Sequence, residues 1–400
     1  MTQALYLAIR SLWWHRGRSL ILIASLALTI WLPLTVRLAL RQFQDEIALR
    51  AGSTPLVLGA VGSRMDLALH ALYFESRPPA VITMRDARAV DESQLAAAIP
   101  LHIRFRTQSR PGVDGVPIVG TSPEYFEFRG LQTAAGELPA LLGECVLGSG
   151  YAERSGLKPG DALLSAPENA LNLAGNYPLQ LRVSGVLATS HSPDDFAVFT
   201  DVQTAWVIEG IGHGHQEITK ETDPTLLMEN ASEQQGVTVN RGVLPYIEIT
   251  DENRDSFHFH GDPDEFPLTA ALVVPVSEKA RVLLLGRYAD TEGKVQCIQP
   301  PQVIAELLEM VFRIEQLVWI CSLAAALVTL LLLGLVLSLS LRLRENEMQT
   351  MFRLGCSRLT IIQLQVAEVL LLLLAATGLA ATGGWLTVLA AGNAIRALLF

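Results

Sequence analysis

Four of the eight histidines in the 400-residue sequence stand in two close pairs that could bind a metal ion. His213 and His215 form an H-G-H sequence, and His258 and His260 form an H-F-H sequence. In an extended chain, residues i and i+2 point to the same side, so each pair would present two imidazole rings together. Imidazole nitrogen is a common ligand of zinc. Three nearby carboxylates could add oxygen ligands: Glu217, Asp262 and Asp264. The pattern fits either a zinc site or two pairs of solvated loop histidines.

The sequence lacks the motifs of the common nucleotide hydrolases and of two large classes of hydrolase. It contains no G-x-x-x-x-G-K-[S/T] loop for ATP, no G-x-S-x-G nucleophile motif and no H-E-x-x-H zinc motif. Residues 190–195 read SHSPDD, but Ser, His and Asp that are adjacent in sequence do not make a catalytic triad, so we interpret this segment as a turn. We predict a non-catalytic chain that holds no cofactor of its own, apart from the zinc considered above.

A short segment near the C-terminus has the composition of a docking surface. Residues 344–359 read RENEMQTMFRLGCSRL, in which Met348, Met351, Phe352 and Leu359 lie on a helix otherwise rich in charge. Flexible methionines and an aromatic ring on a short exposed helix can fill a groove in another protein. A plain connector would need only a few polar residues, so we predict that this segment binds a partner.

Three apolar stretches place these residues relative to a membrane. Residues 20–36, 318–341 and about 366–389 approach or exceed the ~20 residues that cross a bilayer as a helix. Arginines precede the first stretch and separate the second from the third, so the positive-inside rule places both segments in the cytoplasm. Residues 41–317 are then periplasmic, in a bacterial inner-membrane protein with a cytoplasmic N-terminus. A cleavable signal peptide is the alternative for the first stretch, although the run is long and no A-x-A site follows it.

Charged residues are distributed along the chain in agreement with these three apolar stretches. Half of the residues are hydrophobic, 18% are charged and the net charge is −10, which excludes a disordered chain and a basic nucleic-acid binder. Residues 41–317 hold 37 acidic and 21 basic residues, so the acidity belongs to this region. LHIRFR at 101–106 alternates like a half-buried strand, 271–276 is apolar like a buried strand, and Asp86 can cap a helix through Leu95. We predict an α+β domain within a multi-pass α-helical membrane protein.

These observations predict an order of segments along the chain. They are an interfacial amphipathic helix (1–18), a first transmembrane helix (19–40), a periplasmic domain (41–300), a stalk with the second transmembrane helix (301–341), a cytoplasmic loop (342–365), a third transmembrane helix (366–390) and a periplasmic tail (391–400). On the third helix, Ala376, Ala380 and Gly384 are spaced by four residues. They form either a face for close helix packing or ordinary filler in an apolar helix.

Two cysteines lie in the predicted periplasmic region. Cys145 and Cys297 could form a disulfide there, because the compartment is oxidising. The alternative is two small buried residues in strands.

The complete pattern resembles the FtsX/MacB/LolC-LolE family of permeases, the membrane subunits of type VII ABC transporters. The cytoplasmic segment carries the motif R-x-x-E-x-x-x-M-x-x-L-G-x-S-R, followed by an acidic residue that opens the third helix. The matching residues are Arg344, Glu347, Met351, Leu354, Gly355, Ser357, Arg358 and Glu368. Three segments of the large region are similar to MacB-like periplasmic domains: IVGTSPEYF (118–126), GECVLG (143–148) and LKPGD (157–161).

The resemblance implies a fold and a role. The fold would be a large MacB-like periplasmic α+β domain inserted between the first and second transmembrane helices. The role would be that of a non-catalytic permease subunit, coupled to a separate ABC ATPase that binds ATP and Mg. The coupling residues implied by the family are Glu345, Glu347, Met348, Met351, Phe352, Leu354, Gly355 and Ser357.

The implied partners are the ATPase, a second permease subunit in a homodimer or heterodimer, membrane lipid and a periplasmic adaptor, but no nucleic acid. The expected activity is export or extraction of a hydrophobic or lipid-like substrate. The alternatives are a membrane scaffold that activates a periplasmic partner by mechanotransmission, and an anchored metal sensor. Family members have four spans, whereas this sequence supplies three, so we expect either a short variant or a sequence that stops before a fourth helix.

Overall fold

The computed structural model describes residues 2–14, 16–75, 80–166, 178–214, 227–228, 238–239, 246–289, 293–343, 350, 353 and 358–399. The chain forms two compact units. Met1–Ile47 and Glu306–Leu399 make up the first, which we call the helical unit. Ala48–Ala305 makes up the second, which we call the sheet unit.

The sheet unit contains both helices and strands, whereas the described elements of the helical unit are all helices. The α-helices of the described residues are α1 (Thr2–Trp14), α2 (Arg16–Gly52), α3 (Arg64–Tyr73), α4 (Met84–Glu92), α5 (Glu124–Arg129), α6 (Ser149–Ser155), α7 (Val202–Glu209), α8 (Glu278–Arg287), α9 (Pro300–Leu343) and α10 (Arg358–Leu399). The strands are β1 (Leu56–Ala60), β2 (Ile82–Thr83), β3 (Ala96–Arg106), β4 (Pro117–Thr121), β5 (Thr133–Gly136), β6 (Glu144–Leu147), β7 (Ala162–Leu164), β8 (Leu179–Leu187), β9 (Val198–Asp201), β10 (Gly212–His213), β11 (Leu227–Met228), β12 (Thr238–Val239), β13 (Ile247–Glu248), β14 (His258–Phe259), β15 (Pro267–Leu268), β16 (Ala270–Pro275) and β17 (Val295–Ile298).

Among the described residues, three helical stretches are long and apolar enough to cross a membrane. They cover Ser19–Gly52, Gln316–Val336 and Ile362–Thr387, which overlap the three stretches predicted from the sequence. On α9, the side chains of Leu323, Leu327 and Leu331 are exposed. Contiguous exposed leucines are typical of a surface that contacts lipid or another protein. The third helix continues to Leu399 as part of α10, through residues that the sequence analysis assigned to a tail.

A small apolar core holds the helical unit together. Leu26 of α2, Leu333 of α9 and Ala376 of α10 belong to one buried cluster. The hydroxyl groups of Thr29 and Thr329 lie 3.2 Å apart and form a hydrogen bond between α2 and α9. Helix α1 packs against α10. Small residues and hydroxyl pairs are common at interfaces between apolar helices, because they let the backbones approach closely.

The sheet unit is built on an eleven-stranded mixed sheet with the order β13-β8-β6-β9-β4-β3-β16-β1-β17, in which β5 and β7 also pair with β8. Two hydrophobic clusters pack on it. One contains Cys145, Leu181 and Val198. The other contains Leu58 and Trp206. The α+β character that the sequence predicted for this region is confirmed.

Strand β3 confirms the alternation read from the sequence, with one difference. Leu101, Ile103 and Phe105 are buried, as predicted. His102, which the alternation assigns to the polar face, is buried as well, because helix α7 packs over that face. The Oε2 atom of Glu209, the last residue of α7, lies 3.0 Å from the Nε2 atom of His102. The polar face of β3 is therefore partly buried against α7, where His102 contacts Glu209.

Helix α4 begins at Met84, two residues before the predicted capping residue Asp86, and ends earlier than predicted. The Oδ2 atom of Asp86 accepts a hydrogen bond of 2.8 Å from the backbone N–H of Thr83, which closes a capping box. The helix ends at Glu92 rather than continuing through Leu95, because Ala96 already pairs with β16 as the first residue of β3. Strand pairing across the sheet overrides the local helical pattern here.

Candidate functional site

A buried cluster of charged and polar groups lies where α2 ends. Arg50, in the last turn of α2, faces the carboxylate of Asp194 with both terminal nitrogens, at 2.6 Å from Nη1 to Oδ2 and 3.0 Å from Nη2 to Oδ1. The hydroxyl of Tyr125 donates to Asp194 Oδ1 at 2.7 Å and accepts from Arg50 Nη2 at 3.1 Å. Arg50 Nε donates to the carbonyl of Leu72. We call Arg50, Asp194 and Tyr125 the ion-pair cluster.

Tight turns bring the members of the ion-pair cluster together. Asp194 lies in a 3-10 turn, Pro193–Phe196, that corresponds to the turn predicted for SHSPDD. The carboxylate of Asp195 fixes this turn by accepting hydrogen bonds from the backbone N–H groups of Ser190 and His191, at 2.9 and 2.8 Å. Gly148 packs against the turn so closely that a Cβ atom there would lie 2.2 Å from the carbonyl oxygen of Asp194. A glycine is therefore required at this position of the GECVLG segment.

Aromatic rings surround the ion-pair cluster and exclude water. The guanidinium carbon of Arg50 lies 5.5 Å from the ring centroid of Phe74, and the ring of Phe199 lies 5.4 Å from that of Tyr125. Burial alone would raise the pKa of Asp194, but Arg50 and the hydrogen bonds lower it to about 2. Burial raises the pKa of Tyr125. At neutral pH the cluster is a charged, fully hydrogen-bonded pair inside the domain.

The structure brings together three of the four histidines predicted to bind metal. Strands β10 and β14 pair antiparallel with His213 opposite His258, and the ligand nitrogens of His213, His258 and His260 all lie within 4.8 Å of one another. We call these three residues the histidine cluster. His215 lies outside the described residues.

The predicted oxygen ligands have other partners. Asp262 lies 3.2 Å from Arg85 Nη2, and Asp264 forms an ion pair with Arg88, both of these arginines being on α4. Glu217 lies outside the described residues. Among the residues that the structure describes, the grouping that could hold a metal consists of the three imidazoles alone.

The predicted disulfide is wrong. Cys145 is a free thiol on β6 and Cys297 is a free thiol on β17, with β9, β4, β3, β16 and β1 between these two strands in the sheet. Adjacent strands lie about 4.8 Å apart, so the two sulfur atoms are far beyond the reach of a disulfide. Burial raises the pKa of both thiols, to about 12 for Cys297, so they remain protonated. The alternative interpretation, two small buried residues in strands, describes them.

The predicted partner-binding residues lie outside the part of the chain that the structure describes. They are Glu345, Glu347, Met348, Met351, Phe352, Leu354, Gly355 and Ser357. On α10, Ala376 and Ala380 are buried, and a Cβ atom on Gly384 would lie 3.3 Å from Leu34 of α2. These three small residues are thus in close contact with neighbouring side chains of the helical unit.

Sequence reasoning missed the ion-pair cluster. Arg50 and Asp194 are 144 residues apart, and no local spacing connects them. The sequence did contain one indication, the two adjacent aspartates at positions 194 and 195. The second carboxylate accepts hydrogen bonds only within the turn, whereas the first accepts one from Ser192 and also pairs with the distant Arg50.

The order of segments along the chain is typical of a membrane protein that carries one large α+β domain. A large α+β unit lies in sequence between helices that are long and apolar enough to span a membrane. Residues 22–235 match the model of the family described as the MacB-like periplasmic core domain. The chain therefore belongs to that family, and it is a membrane protein with a MacB-like periplasmic domain. The resemblance predicted from the sequence is confirmed.

Solved structures of similar domains were also found. One is the extracellular domain of the ABC-type transporter YknZ from Gram-positive bacteria, with 12% identity, a TM-score of 0.33, and coverage of 61% of this chain and 98% of that one. Another is the periplasmic region of MacB from Actinobacillus actinomycetemcomitans, with 10% identity, a TM-score of 0.32, and coverage of 64% and 94%. No curated protein matches the sequence.

Proposed function

We propose that this chain is the permease subunit of an ABC transporter of the FtsX/MacB type. In this role it lies in the bacterial inner membrane, with the N-terminus in the cytoplasm, and passes the motion of a separate ATPase to its periplasmic domain. The observation that carries the proposal is the family match over residues 22–235, joined to apolar helices on both sides of the sheet unit in sequence.

Both connections into the sheet unit are built in a way that supports transmission of force. Helix α2 is continuous over Arg16–Gly52, and its last turn carries Arg50, which the buried carboxylate of Asp194 holds with two hydrogen bonds. A bidentate, desolvated ion pair resists displacement more than a solvated one does. A pull on α2 would therefore be passed to the turn at residues 193–196 rather than absorbed by a flexible linker.

The second connection is equally direct. Helix α9 begins at Pro300, two residues after strand β17 of the main sheet, and runs without interruption to Leu343. Val303 and Ile304 in its first turns are buried. Proline is favoured in the first turn of a helix, because its missing N–H has no partner there in any case. Helix α9 is therefore one continuous helix from Pro300 through its apolar stretch.

The remaining features of the proposal come from the family resemblance. The chain itself is not an enzyme, and its partner binds ATP and Mg. The partner contacts the cytoplasmic segment that contains Met351 and Phe352, and a second permease subunit completes the transporter as a homodimer or a heterodimer. The substrate is hydrophobic or lipid-like and is exported or extracted at the periplasmic side, with a periplasmic adaptor as a further partner.

The proposal is tested by charged substitutions in the cytoplasmic segment. We expect the full chain, purified from its native membrane, to bring down an ABC ATPase, and the double variant Met351→Asp, Phe352→Asp to lose at least about 90% of it, because two charges cannot enter an apolar groove. The control is Val276→Asp, at an exposed position of the sheet unit. Equal recovery of the ATPase with both variants, or no ATPase with the unmodified chain, would contradict the proposal.

A further inference from the structure

We propose that His213, His258 and His260 form a binding site for a transition-metal dication of the zinc type, which fastens strand β10 to strand β14. The inference is independent of the permease role. It rests on the positions of the three rings, the hydrogen-bond partner of one of them and the packing of the backbone that carries them.

The distances between the rings suit a shared cation. The Nε2 atoms of His258 and His260 face each other at 3.0 Å, and the three ring centroids are separated by 4.7 to 4.9 Å. In a tetrahedral zinc site with Zn–N bonds of about 2.0–2.1 Å, neighbouring ligand nitrogens lie about 3.3 Å apart. The cluster needs only small movements of its rings to reach that geometry.

One ring nitrogen of His258 contacts the backbone, and the other faces the histidine cluster. Its Nδ1 atom lies 3.0 Å from the backbone carbonyl of Ser256, which can only accept a hydrogen bond. The Nδ1 atom is thus engaged by the backbone, and the Nε2 atom, which faces His260, is the nitrogen that a metal would contact. Histidine ligands of metals are commonly oriented in this way, with the second ring nitrogen donating to a carbonyl or carboxylate.

Aromatic packing holds the strands so that the histidines share one side. On β14, Phe259 points to the hydrophobic interior and contacts the ring of Trp206, while His258 and His260 flank it on the opposite side. The ring of Phe259 also covers Gly212, where a Cβ atom would lie 2.5 Å from it, and Phe257 covers Gly214 at 2.6 Å. The alternation of phenylalanine with histidine thus fixes the imidazoles before any metal binds.

The ligand set selects the kind of cation. Within the described part of the chain, the cluster offers three imidazoles and no carboxylate, a ligand set that favours borderline dications such as Zn²⁺ and Cu²⁺ over Mg²⁺ and Ca²⁺, which prefer oxygen ligands. Asp262 and Asp264, the nearest candidates for oxygen ligands, are held by arginines of α4. Three protein ligands leave a fourth position for water or for a further group.

The site lies at the base of a long excursion of the chain. His213 and His258 are opposite each other in register, although 44 residues separate them in sequence. A metal that bound both residues would link two distant parts of the sequence, so the stability of the folded domain should increase with the concentration of free metal above its dissociation constant. The proposed role of the metal is therefore structural: it holds strands β10 and β14 together when metal is available.

The test uses the full chain in detergent, purified with a tag that contains no histidine, stripped with EDTA, reloaded with Zn²⁺ and dialysed to remove the excess. We expect one Zn²⁺ per chain by elemental analysis and by competition with a chromophoric chelator, with the d–d absorption of a tetrahedral site when Co²⁺ replaces Zn²⁺. His258→Gln and His260→Gln should each weaken Zn²⁺ binding by at least about tenfold. The control is His191→Asn, which removes an exposed imidazole at a left-handed residue (φ 54°) that asparagine tolerates.

The variants also separate loss of metal from loss of fold. His260 is exposed, so His260→Gln should show the melting temperature of the metal-free unmodified chain while failing to gain stability when Zn²⁺ is added. The unmodified chain and His191→Asn should both gain stability with Zn²⁺. Absence of one-to-one binding by the unmodified chain, or equal Zn²⁺ affinity in His260→Gln and His191→Asn, would overturn the proposal.

Discussion

The ion-pair cluster and the histidine cluster belong to the same domain but differ in how their charges and hydrogen bonds are balanced. In the first, a guanidinium, a carboxylate and a phenol satisfy one another at 2.6 to 3.1 Å in a buried setting. In the second, three groups of one chemical kind meet at a half-exposed surface. The ion-pair cluster is balanced without a ligand, whereas the metal site that we propose at the histidine cluster would be completed by a cation from solution.

This difference has a direct consequence for stability. The ion-pair cluster should contribute under all conditions that keep Asp194 ionised. The histidine cluster should contribute only when a cation is present. Three substitutions and one change of pH test this difference.

The largest effect is expected from Asp194→Ala. Removing one partner leaves a buried guanidinium without its counter-ion, which should cost about 3–5 kcal/mol of unfolding free energy. Thermal unfolding of the full chain, followed by near-ultraviolet circular dichroism, measures the loss. Adding Zn²⁺ should not restore it. A destabilisation below about 1 kcal/mol would show that the ion-pair cluster does not stabilise the domain as proposed.

A fall in pH should reduce the contribution of the ion-pair cluster to stability. The pKa of Asp194 is lowered from its usual 3.8 to about 2, so its contribution is complete above pH 3.8 and is lost as the pH falls toward 2. The unmodified chain should lose stability over this range relative to Asp194→Ala, which lacks the titrating group. Parallel stability curves for the two proteins between pH 4 and pH 2 would contradict the assignment.

Tyr125→Phe should have an intermediate effect. The substitution keeps the ring contacts with Phe126 and Phe199 but removes the hydroxyl that donates to Asp194. A hydrogen bond to a charged group contributes about 1.5–3 kcal/mol, and its loss sets the scale of the destabilisation. Chemical denaturation in urea would measure this value. A stability equal to that of the unmodified chain would mean that the hydroxyl does not take part in the cluster.

The smallest effect is expected at a solvated ion pair in the same domain. The side chains of Arg85 and Asp262 are 60% and 51% exposed and lie 3.2 Å apart, so Arg85→Ala should cost about 0.5 kcal/mol or less. The same unfolding assay applies, and raising the salt concentration should remove the remaining difference. If Arg85→Ala destabilised the domain as much as Asp194→Ala, burial would not be the property that distinguishes the ion-pair cluster.

The sequence allowed prediction of features that depend on neighbouring residues. The three apolar helices, strand β16 and the capping box at Asp86 follow from local composition and spacing. The histidine pairs were recognised because alternation in a strand is a local rule, and three of the four rings meet. The family resemblance depended on short motifs, and the family match confirms it.

Other features depend on strand order, which local patterns do not encode. The end of α4, the burial of His102 and the pairing of Arg50 with Asp194 are all decided by segments distant in sequence. The disulfide prediction failed for the same reason, since sharing a compartment says nothing about which strands are neighbours in the sheet. A charge doublet with one carboxylate used locally is the signal that could have drawn attention to Asp194.

Hydrogen–deuterium exchange on the complex of this chain with its ATPase, purified from the native membrane, tests the proposed transmission of motion most directly. The comparison is between the nucleotide-free complex and the complex trapped with ATP and vanadate. We predict that trapping changes the exchange of backbone amides in residues 48–55 and 293–305, where α2 and α9 join the sheet unit. Identical exchange in both segments, with ATP demonstrably bound to the partner, would contradict the proposal that this permease passes ATP-driven motion to its periplasmic domain.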